Sequence, residues 1–328
     1  MRPGRRRNKG LLCAFRLGMR FFSCFYILWY KSINCCVTRV SPMVRKESKT
    51  VMRIGIIGGG KVGSCLAGYL KPYLVGITAK SSQHAEQLAQ SFGVSVCTNA
   101  EMVRRAEVLL ITVPDRLIST VAADLAKEAA VAGKIFLHCS GSLGLEELAP
   151  LQQAGAHIGS LHPLQSFAGG ATELTGVYMA VDGDELAKNA AKELADLLGG
   201  HAFHVPSAER AAYHAAACIC SNYAVAVEAL AQQLMSRWLG DEQAAWQALL
   251  PLFKGTASNL QNTTSPRTVL TGPIARGDVR TVAKHLAVLP PELVDIYCSL
   301  GLVTSSLAMT NGTIDKAVAD QLARLLQR

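Results

Sequence analysis

The sequence predicts an α/β fold, a doubly wound parallel sheet followed by an all-helical C-terminal domain, on three observations. A short apolar segment at 53–57 runs straight into a glycine turn. Strand-like and helix-like segments then alternate to about residue 205, as a parallel sheet requires. From Ala208 onward the strand signal stops and Ala- and Leu-rich helical segments follow.

The strand-like segments are 53–57, 74–78, 94–97, 108–113, 134–138, 157–161, 177–181 and 202–205. Helical spacing falls between them at 61–70, 83–91, 101–105, 117–132, 145–153 and 185–198, and then at 208–239, 241–253, 279–289, 291–309 and 314–326. The chain divides into a leader at 1–51, a nucleotide-binding α/β domain at 52–205 and a helical domain at 206–328. The boundary lies near Pro206.

Gly58, Gly60 and Gly63 have the spacing of a dinucleotide-binding turn between a strand and a helix, with Gly59, Lys61 and Val62 completing it. Gly58 serves the tight turn, Gly60 the approach of a diphosphate to the backbone, and Gly63 the packing of helix on sheet. This is the Rossmann arrangement, in which the diphosphate sits on the helix N-terminus. An NAD site would place a carboxylate after the second strand. Here Thr78 is followed by Ala79, Lys80, Ser81 and Ser82. An ammonium and two hydroxyls suit a 2′-phosphate, which a carboxylate would repel, so the expected cofactor is NADP. Ser81 or Ser82 could equally cap the next helix.

Half of the residues are hydrophobic, enough for a sizeable core. The formal charge of +9 is concentrated in the leader. Residues 1–52 hold 12 Lys and Arg against Glu47 alone, and the remainder holds 21 basic against 23 acidic residues. The folded body therefore offers no basic surface for nucleic acid. The apolar run 21–30 is too short to span a membrane. The leader can be read as a signal or transit segment, or as sequence upstream of a true start at Met43 or Met52, and the last is preferred; no stable membrane insertion is expected. Cys65, Cys97, Cys139, Cys218, Cys220 and Cys298 have no metal-ligand spacing and are expected to be small buried hydrophobes in a reducing cytoplasm.

Ligands of open parallel sheets bind beyond the carboxyl ends of the strands. Val113 and Pro114 stand there beside the nicotinamide half, and Asp115 suits a helix cap. Ser140, Gly141 and Ser142 follow the fifth strand and suit an oxyanion or carboxylate, and His162 closes the sixth. In the helical domain His214, Cys218, Ser221 and Asn222 share one helix quadrant. A buried polar stripe costs desolvation unless it binds something. Arg276, in the turn 270–278, has the planar fork for a substrate carboxylate, and Asp278 is placed to cap the next helix or to join it.

The fingerprint Gly58 to Gly63, Val113-Pro114-Asp115, His138-Cys139-Ser140-Gly141, His162-Pro163-Leu164-Gln165, Tyr213-His214 with Ser221-Asn222-Tyr223, and Thr271 to Asp278 together resemble a bacterial family. Its members are Rossmann-like proteins with a C-terminal helical domain of unknown function, kin of pyrroline-5-carboxylate reductase and the deazaflavin-dependent NADP reductases. The resemblance covers about residues 52–325. It implies NADP binding, a homodimer built through the helical domain, and hydride transfer in the interdomain cleft. Some members resemble ketopantoate reductases. Cys218 stands where related hydroxyacid dehydrogenases carry a catalytic lysine, so another group must move the proton. His214 is preferred over His162 for that task. Asn222 orients the substrate, and Arg276 or the Ser140 to Ser142 turn holds its carboxylate. The alternatives are a noncatalytic NADP-binding sensor and a deazaflavin-dependent NADP reductase.

Overall fold

The computed structural model describes residues 52–79, 82–169 and 172–327, with only the backbone of Ser82. The leader, Lys80, Ser81 and the Ser82 side chain lie outside the described residues. From Met52 the chain forms one compact unit.

Its strands are β1 (Ile54–Ile57), β2 (Leu74–Thr78), β3 (Val108–Ile111), β4 (Ile135–His138), β5 (His157–Pro163), β6 (Tyr178–Gly183) and β7 (His201–His204). They form one sheet in the order β2-β1-β3-β4-β5-β6-β7. Every residue of β1 and β3 is buried, as expected for strands covered on both faces. Ile54 and Ile56 pack toward α1 (Lys61–Tyr69) and α6 (Glu185–Leu197). Ile57, Leu109 and Ile111 pack on the other face against α3 (Asn99–Arg105) and α4 (Ile118–Leu125). The register pairs Ile57 with Ile111, Ile111 with His138, and His138 with Ser160. The residues that follow these strands therefore line one edge of the sheet.

Several elements differ from the sequence expectation. Segment 94–97 forms only a bridge from Val96 to Ile77, because Thr98 and Glu101 cap each other and start α3 at once. The helix expected at 117–132 stops at Leu125, and Val131 turns inward before Gly133, at φ 73°, directs the chain into β4. The segment 145–153 opens as a 3-10 turn before α5 (Ala149–Gln153). β6 runs antiparallel to β5, and the described residues between them form no helix to carry a parallel crossover.

Beyond Pro206 the described elements are helical. The expected helix 208–239 breaks at Ser221 into α7 (Arg210–Cys220) and α8 (Asn222–Leu239). α9 (Glu242–Gln261) runs on past Pro251, further than the expected 253. α10 (Val279–Val288), α11 (Pro291–Thr310) and α12 (Lys316–Leu326) share a core of Ile274, Val282, Leu286, Ala308, Leu322 and Leu326. Along α8 and α9, in contrast, Ala245 is the one buried residue among those described. The six cysteines from Cys65 onward are free, and Cys220 is exposed rather than buried.

Candidate active site

The glycine turn is fixed by contacts that leave no room for side chains at two of its positions. Gly58 adopts φ 117°, and a Cβ there would lie 2.8 Å from the Val113 nitrogen. At Gly63 a Cβ would lie 2.0 Å from the Gly58 oxygen. Thr112 Oγ1 donates to that oxygen at 2.6 Å, tying the end of β3 to the turn. At Gly60 a Cβ would meet nothing within 4 Å. No side chain caps the first turn of α1, so its leading amides face open space. That space belongs to a cleft of about 770 Å³ bordered by Gly59, Gly60, Lys61, Ser64, His84 and Glu173. Open backbone donors, the positive end of a helix and a lysine fit a diphosphate.

A second cleft, of about 570 Å³, is bordered by His162, Gln165, Tyr213, His214, Ser221 and Asn222. β5 supplies His162, and the first turns of α7 supply Tyr213 and His214. The break at Ser221 brings Asn222 round to the same cleft. His162 Nδ1 lies 2.7 Å from Tyr213 Oη, and the His162 and His214 rings meet edge to face at 6.1 Å. Both crowd onto Gly141, where a Cβ would lie 2.7 Å from His162 Nε2 and from His214 Nδ1. Gly141 is thus the spacer that lets two imidazoles meet.

Arg210 is the residue that sequence reasoning missed. It is 1% exposed, Nη1 donates to the Ser140 carbonyl at 3.4 Å and Nη2 donates to Ser160 Oγ. Its sequence signal was position, since a cation opening a helix opposes the helix dipole. Burial, reinforced by this charge and by His214, pushes His162 down to about 4, with Asp115 opposing. Burial and Arg210 likewise push His138 down to about 4, against Asp115 and the Gly144 backbone. His138 is fully buried, and no partner lies at hydrogen-bonding geometry to either ring nitrogen.

Among the other expected residues, Val113 abuts the turn as described. Pro114 opens the 3-10 turn Asp115–Leu117. Ser140 Oγ and Ser142 Oγ donate to Asp115 Oδ2 at 2.7 and 3.2 Å, so their hydroxyls brace the turn instead of standing free for a carboxylate. Arg276 is exposed and borders neither cleft. Asp278 caps α10 by accepting from the Thr281 nitrogen at 3.0 Å.

A Rossmann-like domain model matches residues 41–163, and a domain of unknown function (DUF2520) matches residues 177–304. The second match begins one residue before β6, so it takes in the last two strands as well as helices. A candidate NADP oxidoreductase of Bacteroides fragilis superposes with a TM-score of 0.64 at 21% identity, over 78% of this chain and 98% of that one. A protein of Thermotoga maritima gives 0.63 at 28% identity, over 79% and 99%. The 1-pyrroline-5-carboxylate reductase of Streptococcus pyogenes gives 0.52 at 16% identity, over 84% and 99%. These likenesses establish the fold. No curated protein matches the chain.

Proposed function

We propose that the chain is an NADP-dependent oxidoreductase that reduces a small carboxylate-bearing carbonyl or imine. The observation that carries this reading is the pair of clefts at one sheet edge, one built for a diphosphate and one holding two imidazoles, a phenol and an amide. The absence of an acid after Thr78 favours NADP over NAD. The Bacteroides neighbour is named as a candidate NADP oxidoreductase and the Streptococcus neighbour as a 1-pyrroline-5-carboxylate reductase, which supports the same class.

Bound NADPH supplies the hydride. The chain's own residues do the rest. Gly60 and Lys61 seat the diphosphate, an imidazole of the second cleft gives the proton, and Asn222 orients the acceptor. With Ser140 and Ser142 engaged and Arg276 bordering neither cleft, Gln165, Ser166 and Ser221 are the neutral groups left in the cleft to hold a carboxylate. A 2-keto acid such as ketopantoate and a cyclic imino acid are the two substrate types.

The reading includes a homodimer through the helical domain. Tyr223 and Trp238 on α8 are 61% and 70% exposed, and Leu252 on α9 is 70% exposed, an apolar face of the kind that partners cover. The stretch from Ser207 to Leu239 is apolar and long enough to cross a membrane by composition alone. Sedimentation of the purified chain as a detergent-free dimer supports the dimer, and partition into detergent overturns it.

The test of function is NADPH and NADH binding to the purified chain, followed by NADPH oxidation with ketopantoate and with 1-pyrroline-5-carboxylate. Preferential NADPH binding with turnover of either compound is the expected result. Binding without turnover points to a sensor, and no binding overturns the reading.

A further inference from the structure

Which imidazole gives the proton, and what stands behind it, is answered by the surroundings of the two rings. The Tyr213 hydroxyl makes one hydrogen bond among the described residues, the 2.7 Å contact with His162 Nδ1. The contact serves either tautomer, and the relay is the one in which the phenol donates and Nδ1 accepts. Burial pushes the phenol up to about 12, so its proton is in place at neutral pH, although Arg210 pulls the other way. With Nδ1 accepting, neutral His162 carries its own proton on Nε2, the atom that faces Gly141 in the cleft. His214 has no such support, because its Nδ1 is buried without a partner. Nothing behind that ring can replace a proton it gives away.

The groups that face His162 also set its charge. Arg210 and His214 come from α7, Asp115 from the turn after β3. Arg210 has no ion-pair partner among the described residues. It is held instead by one carbonyl and one hydroxyl, and the charges that act on it are the Asp182 carboxylate and the Tyr213 oxygen.

We infer that Tyr213 is the proton source of the site, acting through a neutral His162 that touches the substrate, with buried Arg210 as the charge that stabilises the phenolate. This inference rests on the reductase reading above. Once the carbonyl carbon has gained hydride, the substrate oxygen takes the Nε2 proton as the Nε2–H bond breaks. At the same time Nδ1 takes the Tyr213 proton as the phenolic O–H bond breaks. His162 stays neutral and exchanges tautomers, and the negative charge passes to the Tyr213 oxygen. A proton from water in the cleft then adds to Nε2 as the Nδ1 proton returns to the Tyr213 oxygen, which restores the starting tautomer. Tyr213 and Arg210 are therefore positioning residues, and His162 is the catalytic one.

The first test needs neither cofactor nor substrate. In the 15N-histidine NMR spectrum of the ligand-free full chain, His162 should be neutral and Nε2-protonated down to about pH 5.5, below the ordinary histidine range. Tyr213→Phe should populate the Nδ1-protonated tautomer, because nothing then donates to that nitrogen. Arg210→Met should raise the protonation midpoint of His162 by about one unit, and Arg210→Lys, which keeps the charge, should leave it nearly unmoved. An Nδ1-protonated ring in the wild type, or a tautomer unchanged in Tyr213→Phe, overturns the inference.

In the second test, with saturating NADPH and ketopantoate or 1-pyrroline-5-carboxylate as probe, Tyr213→Phe should lower kcat about 100-fold. Its Kd for NADPH should stay within about twofold of wild type. The loss should exceed that of His214→Gln, and the reverse order overturns the relay. Failure of the wild type to bind NADPH or to turn over either probe rejects the reductase reading instead, while the NMR pattern still decides the tautomer.

Discussion

The glycine turn and the histidine cluster lie along the same sheet edge but are made in different ways. The turn is local: Gly58, Gly60 and Gly63 fall within six consecutive residues of one backbone, braced by Thr112 at the end of the neighbouring strand. The cluster is assembled from β5, the Ser140–Ser142 turn and α7, and Gly141 is where the three meet. A site made of backbone tolerates almost no change at two of its atoms. A site made of side chains depends on packing over long sequence separations, and its charge state depends first on burial and then on a buried cation.

Substitutions at the glycines separate the two regions. Gly63→Ala should have the largest effect, because the new methyl group meets the Gly58 carbonyl, which cannot move without breaking the turn. A loss of more than about 3 kcal/mol in urea unfolding is expected, at or beyond the upper end for overpacking. A loss below about 1 kcal/mol would show that the turn is softer than its contacts indicate.

Acid should reach the cluster's surroundings and spare the turn. His138 is held neutral in the fold to about pH 4, whereas an unfolded histidine takes up its proton near 6.5. The unfolded state thus binds more protons between these values, and stability falls as pH drops through that window. His138 alone should account for about 3 kcal/mol across it. Denaturation midpoints from pH 7 to about 4 measure this, and His138→Phe should flatten the curve.

Gly141→Ala should be felt in catalysis more than in stability, since its methyl group meets two ring ends that can swing away. The expected outcome is a loss of about 100-fold in turnover, the scale of a lost general acid, with NADPH affinity kept. Equal losses of both would mean that the two clefts move as one. Gly60→Ala should be the mildest for the fold, within about 0.5 kcal/mol, because its backbone is extended and its surroundings are empty. Its effect should instead appear as a Kd for NADPH raised about tenfold or more, read by fluorescence titration.

The same contrast explains what could be read from the sequence. The turn could be read residue by residue, since its glycine spacing reports backbone geometry directly. β1 and β3 were also legible, because a strand buried on both faces is a continuous apolar run. Segment 94–97 has the same composition, but Thr98 begins a helix cap before any ladder can form, so composition alone could not separate bridge from strand. The antiparallel β6 depended on the missing crossover helix. Its signal was present, as no helical spacing occurs between 162 and 177. His162 and His214 were recognisable as polar residues at a strand end and in an apolar helix. That Gly141 brings them together, that Tyr213 backs one of them and that Arg210 acts on His162 required contacts between residues as many as 70 positions apart. Arg276 was read from its chemistry alone, and the fold places it on the surface.

The reversal at β6 has a consequence for the order in which ligands arrive. Without a crossover helix, the segment returning from β5 passes over the sheet edge. It gives Gln165, Ser166 and Phe167 to one cleft and Gly169, Thr172 and Glu173 to the other. Gln165 Nε2 donates to the Glu173 carbonyl at 3.2 Å, joining the two parts. A single strap is therefore a wall of both chambers, so a molecule settling against Thr172 changes the shape presented to whatever enters beside Gln165. On the reductase reading the expected outcome is compulsory-order kinetics with the nucleotide bound first, and product-inhibition patterns of random order would remove it.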